Sequence, residues 1–474
     1  MNGKLRIAEY TKAGMNTPEW YNAARLETYY MYYIMKNLQT SEVTATIEKF
    51  SHDGRGIARI DGKTTFIQGA LPGETVVFKY LRRKRDFDEG QVLSVVTPSE
   101  HRVPPPCEYH GLCGGCSLQH LASPMQIEEK QTLFLDMLDR IGHCQPDSVL
   151  PPLAASSLHY RNKARLSVRY SKKTETLFVG FREKNSPRFV TNIKQCSILN
   201  SRVDAQLLNL RQLIASFDRP DAIAQIEVAA GDDDVALVIR NMEPLSASDE
   251  EKLIAFAEST SFRLFLQPAG PDSVHLFYPK DVSEFLTYCL PSENISFSFH
   301  PTDFTQVNAA LNRLMVPYAL NLLALKEDDV VLDLFCGLGN FSLPMARKCT
   351  KVIGVEGSEA MVQRARMNAT LNGINNAEFF SANLDDETVF ERLKQYPVNK
   401  LLIDPPRVGA LEIVKRIEFL NPECIVYVSC NPATLARDAG ILVNEKGYRM
   451  ISAGVMDMFP HTEHVESIAL FEKR

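Results

Sequence analysis

The sequence predicts an α/β protein. Its C-terminal part reads as a Rossmann-like, doubly wound domain, preceded by a small β-barrel of the oligonucleotide-binding kind and a mixed α+β region. Two patterns and the length predict this. After Pro301, four continuous apolar runs (Val330 to Phe335, Val352 to Val355, Leu401 to Ile403, Ile425 to Ser429) alternate with helical stretches, the mark of parallel strands buried on both faces. Between Glu42 and Val96, short β-branched runs such as Val43 to Ile47, Thr64 to Ile67 and Val92 to Val96 are separated by Asp53-Gly54 and Leu71-Pro72-Gly73-Glu74, which suits a five-stranded barrel. A chain of 474 residues exceeds one domain.

Taken in order, residues 1–40 are rich in Tyr and Met, as in Tyr29 to Tyr33, without a capped helix or sustained alternation. A poorly ordered extension is expected there. The barrel is expected over residues 41–99, with Lys79, Arg82, Arg83, Lys84 and Arg85 on one of its connections, where they could track phosphates. Pro104-Pro105-Pro106 then makes a stiff boundary. The mixed region, residues 100–298, holds a helix-like Met125 to Ile141, strands at Leu166 to Tyr170 and Ala236 to Arg240, and a second basic cluster of Arg161, Lys163, Arg165 and Arg169. Residues 299–474 form the α/β domain.

Composition narrows the setting. Hydrophobic residues make up 45% and charged residues 23%, the net charge is −6, and no run approaches the roughly 20 apolar residues that cross a bilayer. No membrane association is expected. The first residues lack a signal peptide's plan, so a soluble, cytoplasmic protein in a reducing compartment is expected, and disulfides are not.

Asp333-Leu334-Phe335-Cys336-Gly337-Leu338-Gly339-Asn340 carries a buried strand into a glycine turn and a helix from Phe341 to Arg347. Nineteen residues after Gly337 stands Glu356, at the end of the next strand, where a carboxylate can accept from both ribose hydroxyls of a nucleoside. The turn lacks the third glycine of a dinucleotide fingerprint. S-adenosylmethionine fits better. Asp404-Pro405-Pro406-Arg407 ends a third strand beside the same crevice.

Cys430, in Ser429-Cys430-Asn431-Pro432, follows the fourth strand at the end where doubly wound folds bind ligands. A helix starting near Ala433 would favour its thiolate. A thiol is of use to a methyltransferase whose target carbon is a poor nucleophile. Thiolate addition to carbon 6 of uracil makes an enolate that can take a methyl group at carbon 5, after which a base must remove the carbon-5 proton. Glu463, His464 and Glu466 are the candidates for that base, and spacing does not choose among them.

Cys107, Cys113 and Cys116, spaced C-x5-C-x2-C around Gly114-Gly115, favour a metal centre in a reducing compartment. Cys144 and Cys196 are both available as a fourth ligand.

From about residue 42 onward the chain resembles the bacterial uracil-C5 RNA methyltransferases, in particular those acting on 23S ribosomal RNA. The segments that carry the resemblance are Phe304 to Asn308, Asp333 to Asn340, Asp404 to Arg407, Ser429 to Asp438, Phe459 to Thr462 and His464 to Glu466. The resemblance implies a class I S-adenosylmethionine-dependent methyltransferase domain whose cofactor site is lined by Gln306, Phe335, Asn340, Glu356, Asn383 and Asp404. It implies Cys430 as nucleophile, Glu466 as base, and an N-terminal barrel of the TRAM type. It selects Cys196 as fourth ligand, implying an iron–sulfur central domain with a [4Fe-4S] cluster; zinc is the alternative. The expected partner is an irregular or loop segment of 23S ribosomal RNA, held by the barrel and the basic stretch around Arg161, with the protein acting as a monomer. Competing readings are another RNA target, a catalytically silent assembly factor, and a radical methylthiotransferase. The last needs C-x3-C-x2-C, which this chain lacks.

Overall fold

The computed structural model describes residues 42–474; the extension expected over residues 1–40 lies outside them. The described chain forms two compact units: residues up to Ser51 with Arg55–Glu100, and His52–Gly54 with His101–Arg474.

The first unit is a six-stranded sheet of β1 (Val43–Thr46), β2 (Lys49–Phe50), β3 (Gly56–Ile60), β4 (Lys63–Gln68), β5 (Thr75–Arg83) and β6 (Phe87–Thr97), in the order β1-β5-β6-β4-β3-β2. Its two edge strands are consecutive pieces of one stretch: residues 43–46 pair with β5 and residues 49–50 with β3. The sheet therefore closes on itself, which removes the exposed edges. Ala45, Ile47, Ile67, Val76 and Phe78 fill its interior. The expected position of the basic cluster needs correcting. Lys79, Arg82 and Arg83 lie on β5 itself, and Arg82, Arg83 and Lys84 are drawn to Glu89 and Asp88 across the hairpin.

The second unit opens with α1 (Ser123–Met137), followed by β7 (Ser148–Val149). A six-stranded sheet, in the order β13-β12-β11-β10-β8-β9, comprises β8 (Lys163–Ser171), β9 (Thr176–Gly180), β10 (Ile223–Ala230), β11 (Val235–Asn241), β12 (Arg263–Leu266) and β13 (His275–Tyr278). The helices α2 (Leu207–Ala215) and α3 (Ala247–Thr260) belong to this region, and β14 (Leu286–Leu290) pairs with β15 (Ile295–Phe299).

The α/β part runs α4 (Ala309–Leu323), β16 (Val330–Leu334), β17 (Lys351–Glu356), α5 (Glu359–Leu371), β18 (Ala377–Ser381), β19 (Lys400–Ile403), β20 (Cys424–Ser429), α6 (Pro432–Asn444), β21 (Tyr448–Met456) and β22 (Glu466–Lys473). The sheet order is β18-β17-β16-β19-β20-β22-β21-β7, with β16 to β20 parallel and β22 antiparallel to both its neighbours. Two apolar layers bury its faces, which is why its parallel strands read as unbroken apolar runs. α6 packs against the turn that follows α1 through two glycines. A Cβ on Gly440 would meet Gly142 O at 2.6 Å, and one on Gly142 would meet Ala436 O at 2.5 Å. That close approach fixes the helix whose N-terminus follows Cys430.

Candidate active site

The chain leaves β16 for β17 and β18 on one side, then crosses to β19 and β20 on the other. Residues beyond the carboxyl ends of these strands meet at the crevice where such sheets bind ligands. β22 enters the sheet at the same edge, with Ser467 opposite Ser429 and Glu466 opposite Met456. The β20–β22 ladder ends at Ser429 and Ser467, so Cys430 and Glu466 are the next residues beyond it, and the Glu466 charge acts on the Cys430 thiol.

At the β16 end, Phe335, Gly337 and Gly339 have φ of 64°, 54° and 95°. A bulky residue in the left-handed region costs about 1–3 kcal/mol and persists only where its surroundings hold it; here Phe335 N donates to Val355 O at 2.8 Å. Glu356 ties the turn to the next helix, its carboxylate accepting from Gly337 N at 3.2 Å and Ser358 N at 3.0 Å. Its remaining lone pairs are available to a ribose. Asn340 exchanges two hydrogen bonds of 2.9 Å with Asn312 and accepts from Tyr288 OH at 3.0 Å.

The other expected lining residues are more scattered. Gln306 is half-buried, two residues before Asn308, the N-cap of α4. Its loop is held by Lys163, which donates to Pro301 O at 2.7 Å and Asp303 O at 2.5 Å, and by an Arg364–Asp303 pair at 2.8 Å. Asn383 is exposed, just past β18, and accepts from Asp385 N at 3.1 Å. Asp404 is half-buried directly after β19.

The crevice is acidic. Asp333, fully buried, accepts from the Ser342 hydroxyl through one oxygen while the other has no hydrogen-bond partner. Burial, with Asp404 and Glu356 adding to it, pushes its carboxyl up to about 8. Burial takes Asp404 to about 7, and burial with Asp404 nearby holds Glu466, 3% exposed, well above the usual carboxylate range. An unpartnered buried oxygen among acids fits a ligand that is cationic and rich in donors, such as the sulfonium, ammonium and ribose groups of S-adenosylmethionine.

Cys430 departs from the thiolate expected at a helix start. Asn431 caps α6, its side chain accepting from Ala433 N at 3.2 Å. Yet burial, then Glu466 and Asp404, push the thiol up to about 11, against a smaller pull from Arg407. The helix terminus is outweighed by desolvation and two neighbouring acids. Arg407 is fixed through its carbonyl, which accepts from Asn431 Nδ2 at 2.8 Å, and its guanidinium lies 3.1 Å from His464 Nδ1. Behind it, Tyr427 OH and Ala410 N donate to Asp438 at 2.7 and 2.8 Å, binding the β19 loop to α6.

Of the three base candidates, Glu463 accepts from the Ser117 hydroxyl and His464 faces Arg407, whereas the Glu466 charge acts on the Cys430 thiol. Sequence reasoning gave no role to Asp333 or Arg407. The signal for Asp333 was a lone acid inside an apolar strand; nothing in the sequence placed Arg407 against Cys430. In the basic stretch around Arg161, Lys163 turns inward onto carbonyl groups, whereas Arg165, paired with Glu227 at 3.0 Å, and Arg169, donating to Arg188 O at 2.5 Å, stay on the surface.

Cys107, Cys113, Cys116 and Cys196 line one pocket, beside Tyr109 and Phe181. Cys144 is absent from that lining and lies buried near Leu138. Burial and the neighbouring thiols push Cys116 up to about 12; Cys196 reaches about 11, and Cys107 and Cys113 are raised too. Gly114 has no room for a side chain, since a Cβ would meet Arg182 O at 2.8 Å. Among the described residues, no three Cys, His, Asp or Glu side chains form a preassembled ion site.

Sheet order, glycine turn and acidic crevice together define a class, the Rossmann-like S-adenosylmethionine-dependent methyltransferases. The chain belongs to the tRNA (uracil-5-)-methyltransferase family, which residues 124–474 match, while residues 36–93 match the TRAM domain. A Legionella pneumophila (strain Corby) protein named 23S rRNA (uracil(1939)-C(5))-methyltransferase is 58% identical over 440 residues, 93% of this chain and 99% of that one. A protein of the same name from Hahella chejuensis (strain KCTC 2396) is 50% identical over 92% of this chain and 99% of its own. In fold, the chain is similar to the Pyrococcus abyssi tRNA (uracil-54, C5)-methyltransferase solved with S-adenosyl-L-homocysteine. The TM-score is 0.69 at 24% identity, covering 90% of this chain and all of that one.

Proposed function

We propose that this chain methylates carbon 5 of a uridine in 23S ribosomal RNA, with Cys430 as nucleophile and Glu466 as base. The observation that carries the reading is the antiparallel pairing of β20 with β22, which ends at Ser429 and Ser467 and so brings Cys430 and Glu466 to the same ligand-binding edge of the sheet, where the Glu466 charge acts on the thiol. The substrate follows relatives 50–58% identical over nearly the whole chain.

Cys430 gives up its proton to solvent as the cationic cofactor binds, and its thiolate attacks carbon 6, forming the C6–S bond and an enolate. Carbon 5 of that enolate would take the methyl group that bound S-adenosylmethionine supplies, the S–CH3 bond breaking to leave S-adenosylhomocysteine. Glu466 then takes the carbon-5 proton, the electron pair restores the C5–C6 double bond, and the C6–S bond breaks to free the thiolate. A carboxylate held in a dry setting is a stronger base than one in water, which suits Glu466 to this step. Glu356 would accept from the ribose, the Phe335 turn would cradle the nucleoside, Gln306, Asn383 and Asp404 would line the crevice, and Asn340 would brace the turn against α4.

Four thiols line one pocket beside Tyr109 and Phe181, a donor set that fits a multi-atom iron–sulfur cluster. We assign Cys107, Cys113, Cys116 and Cys196 as ligands of a [4Fe-4S] cluster on that chemistry. Residues 41–99 would bind RNA as a TRAM barrel, 100–298 carry the cluster and 299–474 the transfer chemistry, in a cytoplasmic monomer. The target base has to leave its stack, at a cost of a few kcal/mol that is least in an irregular segment.

The test is to incubate the protein with S-adenosylmethionine and RNA containing 5-fluorouridine, whose methylated adduct cannot lose fluorine as it would a proton. A stable protein–RNA complex is expected with wild type and none with Cys430→Ala; equal trapping by both would remove Cys430 from the role.

A further inference from the structure

The turn between β21 and β22, residues 457–465, leads into Glu466 and is held from outside along its length. Lys130 and Asp457 form a buried ion pair at 2.7 Å, and Lys130 also donates to Phe459 O at 3.0 Å. Tyr160 OH donates to Pro460 O at 3.0 Å. The amides of Ser117 and Leu118 both donate to His461 O, at 2.9 and 3.0 Å, and the Ser117 hydroxyl donates to Glu463. Gln126, fully buried on α1, accepts from His461 N at 2.7 Å and donates to Leu121 O at 2.7 Å. Its second N–H lies between Leu118 O and His461 Nδ1, each at 3.1 Å, and an amide has only two to give.

Ser117 and Leu118 directly follow Cys116. The peptide that forms one wall of the four-cysteine pocket is therefore hydrogen bonded to the turn that leads to Glu466. His461 sits at φ 66°, a left-handed conformation that a residue bearing a Cβ keeps only under restraint. A turn held there by outside donors relaxes when they are removed.

We propose that Ser117 and Gln126 are positioning residues for the transfer reaction. They clamp the 457–465 turn to the cysteine segment, so that order in the cysteine pocket is transmitted to the Cys430–Glu466 pair. This rests on Glu466 acting as the base.

The experiment compares Ser117→Ala and Gln126→Ala with wild type in three measurements: single-turnover methylation of a 23S RNA fragment, calorimetric binding of S-adenosylmethionine, and hydrogen exchange across residues 457–465. Transfer is expected to fall about 10-fold to 100-fold, as sub-ångström misplacement far from the chemistry can produce, while cofactor affinity stays within about twofold. Exchange in the turn accelerates, and Ser117→Thr, which keeps the hydroxyl, restores the rate. Wild-type transfer with unchanged exchange overturns the proposal, as does an equal loss of cofactor binding, which marks general unfolding. Should Gln126→Ala fail to fold, Ser117→Ala, which removes a single oxygen, carries the test alone. Glu466→Gln run in parallel separates the two ideas. Full activity there sinks the base assignment, whereas its inactivity beside normal clamp variants sinks the clamp only.

Discussion

The Cys430 crevice and the four-cysteine pocket both hold thiols that burial has made hard to ionise, up to about 11 at Cys430 and about 12 at Cys116. Their neighbours differ. Cys430 faces the carboxyls of Glu466 and Asp404 with one guanidinium, Arg407, opposing them, so charge can be traded among groups within reach. In the pocket, Cys116 is raised by burial and then by the Cys196, Cys113 and Cys107 thiols, while Cys107 also lies near Glu108 and Asp204. A thiol among acids can be released when a cationic ligand arrives and used as a nucleophile, whereas several thiols gathered in one pocket can be held deprotonated together by a metal that takes their protons' place. On the proposed function, one chemistry in two settings would give a reagent in the first and a ligand set in the second.

The comparison can be broken most directly at Cys430. Replacing it by Ala should reduce methylation of 23S RNA to background while S-adenosylmethionine still binds, as measured by methyl incorporation and calorimetry. Glu466→Gln should lower turnover by about 10²–10⁴-fold, the usual range for a general base, while the adduct with RNA accumulates on denaturing gels. Adduct loss in step with turnover would instead place Glu466 in the first step. In the pocket, Cys116→Ser or Cys196→Ser should remove bound iron and acid-labile sulfide from anaerobically purified protein, and Cys144→Ser should leave both in place. Zinc in wild-type protein would overturn the cluster assignment.

Two smaller effects sharpen the electrostatics. Because Glu466 is held above the usual carboxylate range by burial and then by Asp404, single-turnover rates should rise with pH from the acid side. Asp404→Asn should move that rise to lower pH. Stability should show the same tension. Asp404, at about 7 in the fold against about 3.9 unfolded, binds its proton more tightly when folded, so stability is greatest below the unfolded value and falls as pH rises through 7. Asp404→Asn should therefore gain on wild type by on the order of 1 kcal/mol between pH 5 and pH 8 in denaturant melts.

Much of this was legible because local rules govern it. The apolar runs at Val330, Val352, Leu401 and Ile425 became neighbouring parallel strands, since only strands buried on both faces tolerate such composition. The glycine turn after Asp333 reads in sequence for the same reason that it reads in space: Gly337 and Gly339 take up positive φ. Phe335 also does so, and no propensity would foresee it, because its restraint comes from Val355 on another strand. Charge clusters are only partly legible for a related reason. Arg161 to Arg169 looks like a phosphate track, but which cations stay on the surface depends on which carbonyls and carboxylates the fold brings to them: Lys163 turns inward, whereas Arg165 stays outside beside Glu227.

By itself, then, the sequence determined the order of strands and helices, the residues able to act as nucleophile or base, and the thiols able to hold a metal, since these follow from side-chain chemistry and short-range periodicity. Tertiary structure decided which of them meet. Antiparallel entry of β22 brought Glu466 to the edge of the sheet that Cys430 follows, while Glu463 accepts from Ser117 and His464 faces Arg407. The pocket took Cys196 and left Cys144 aside, and Gln126, unremarkable in its helix, became the joint between the two sites. The physical reason is burial: a group's ionisation and its partners are set by what surrounds it in three dimensions, and most of those neighbours are far away along the chain.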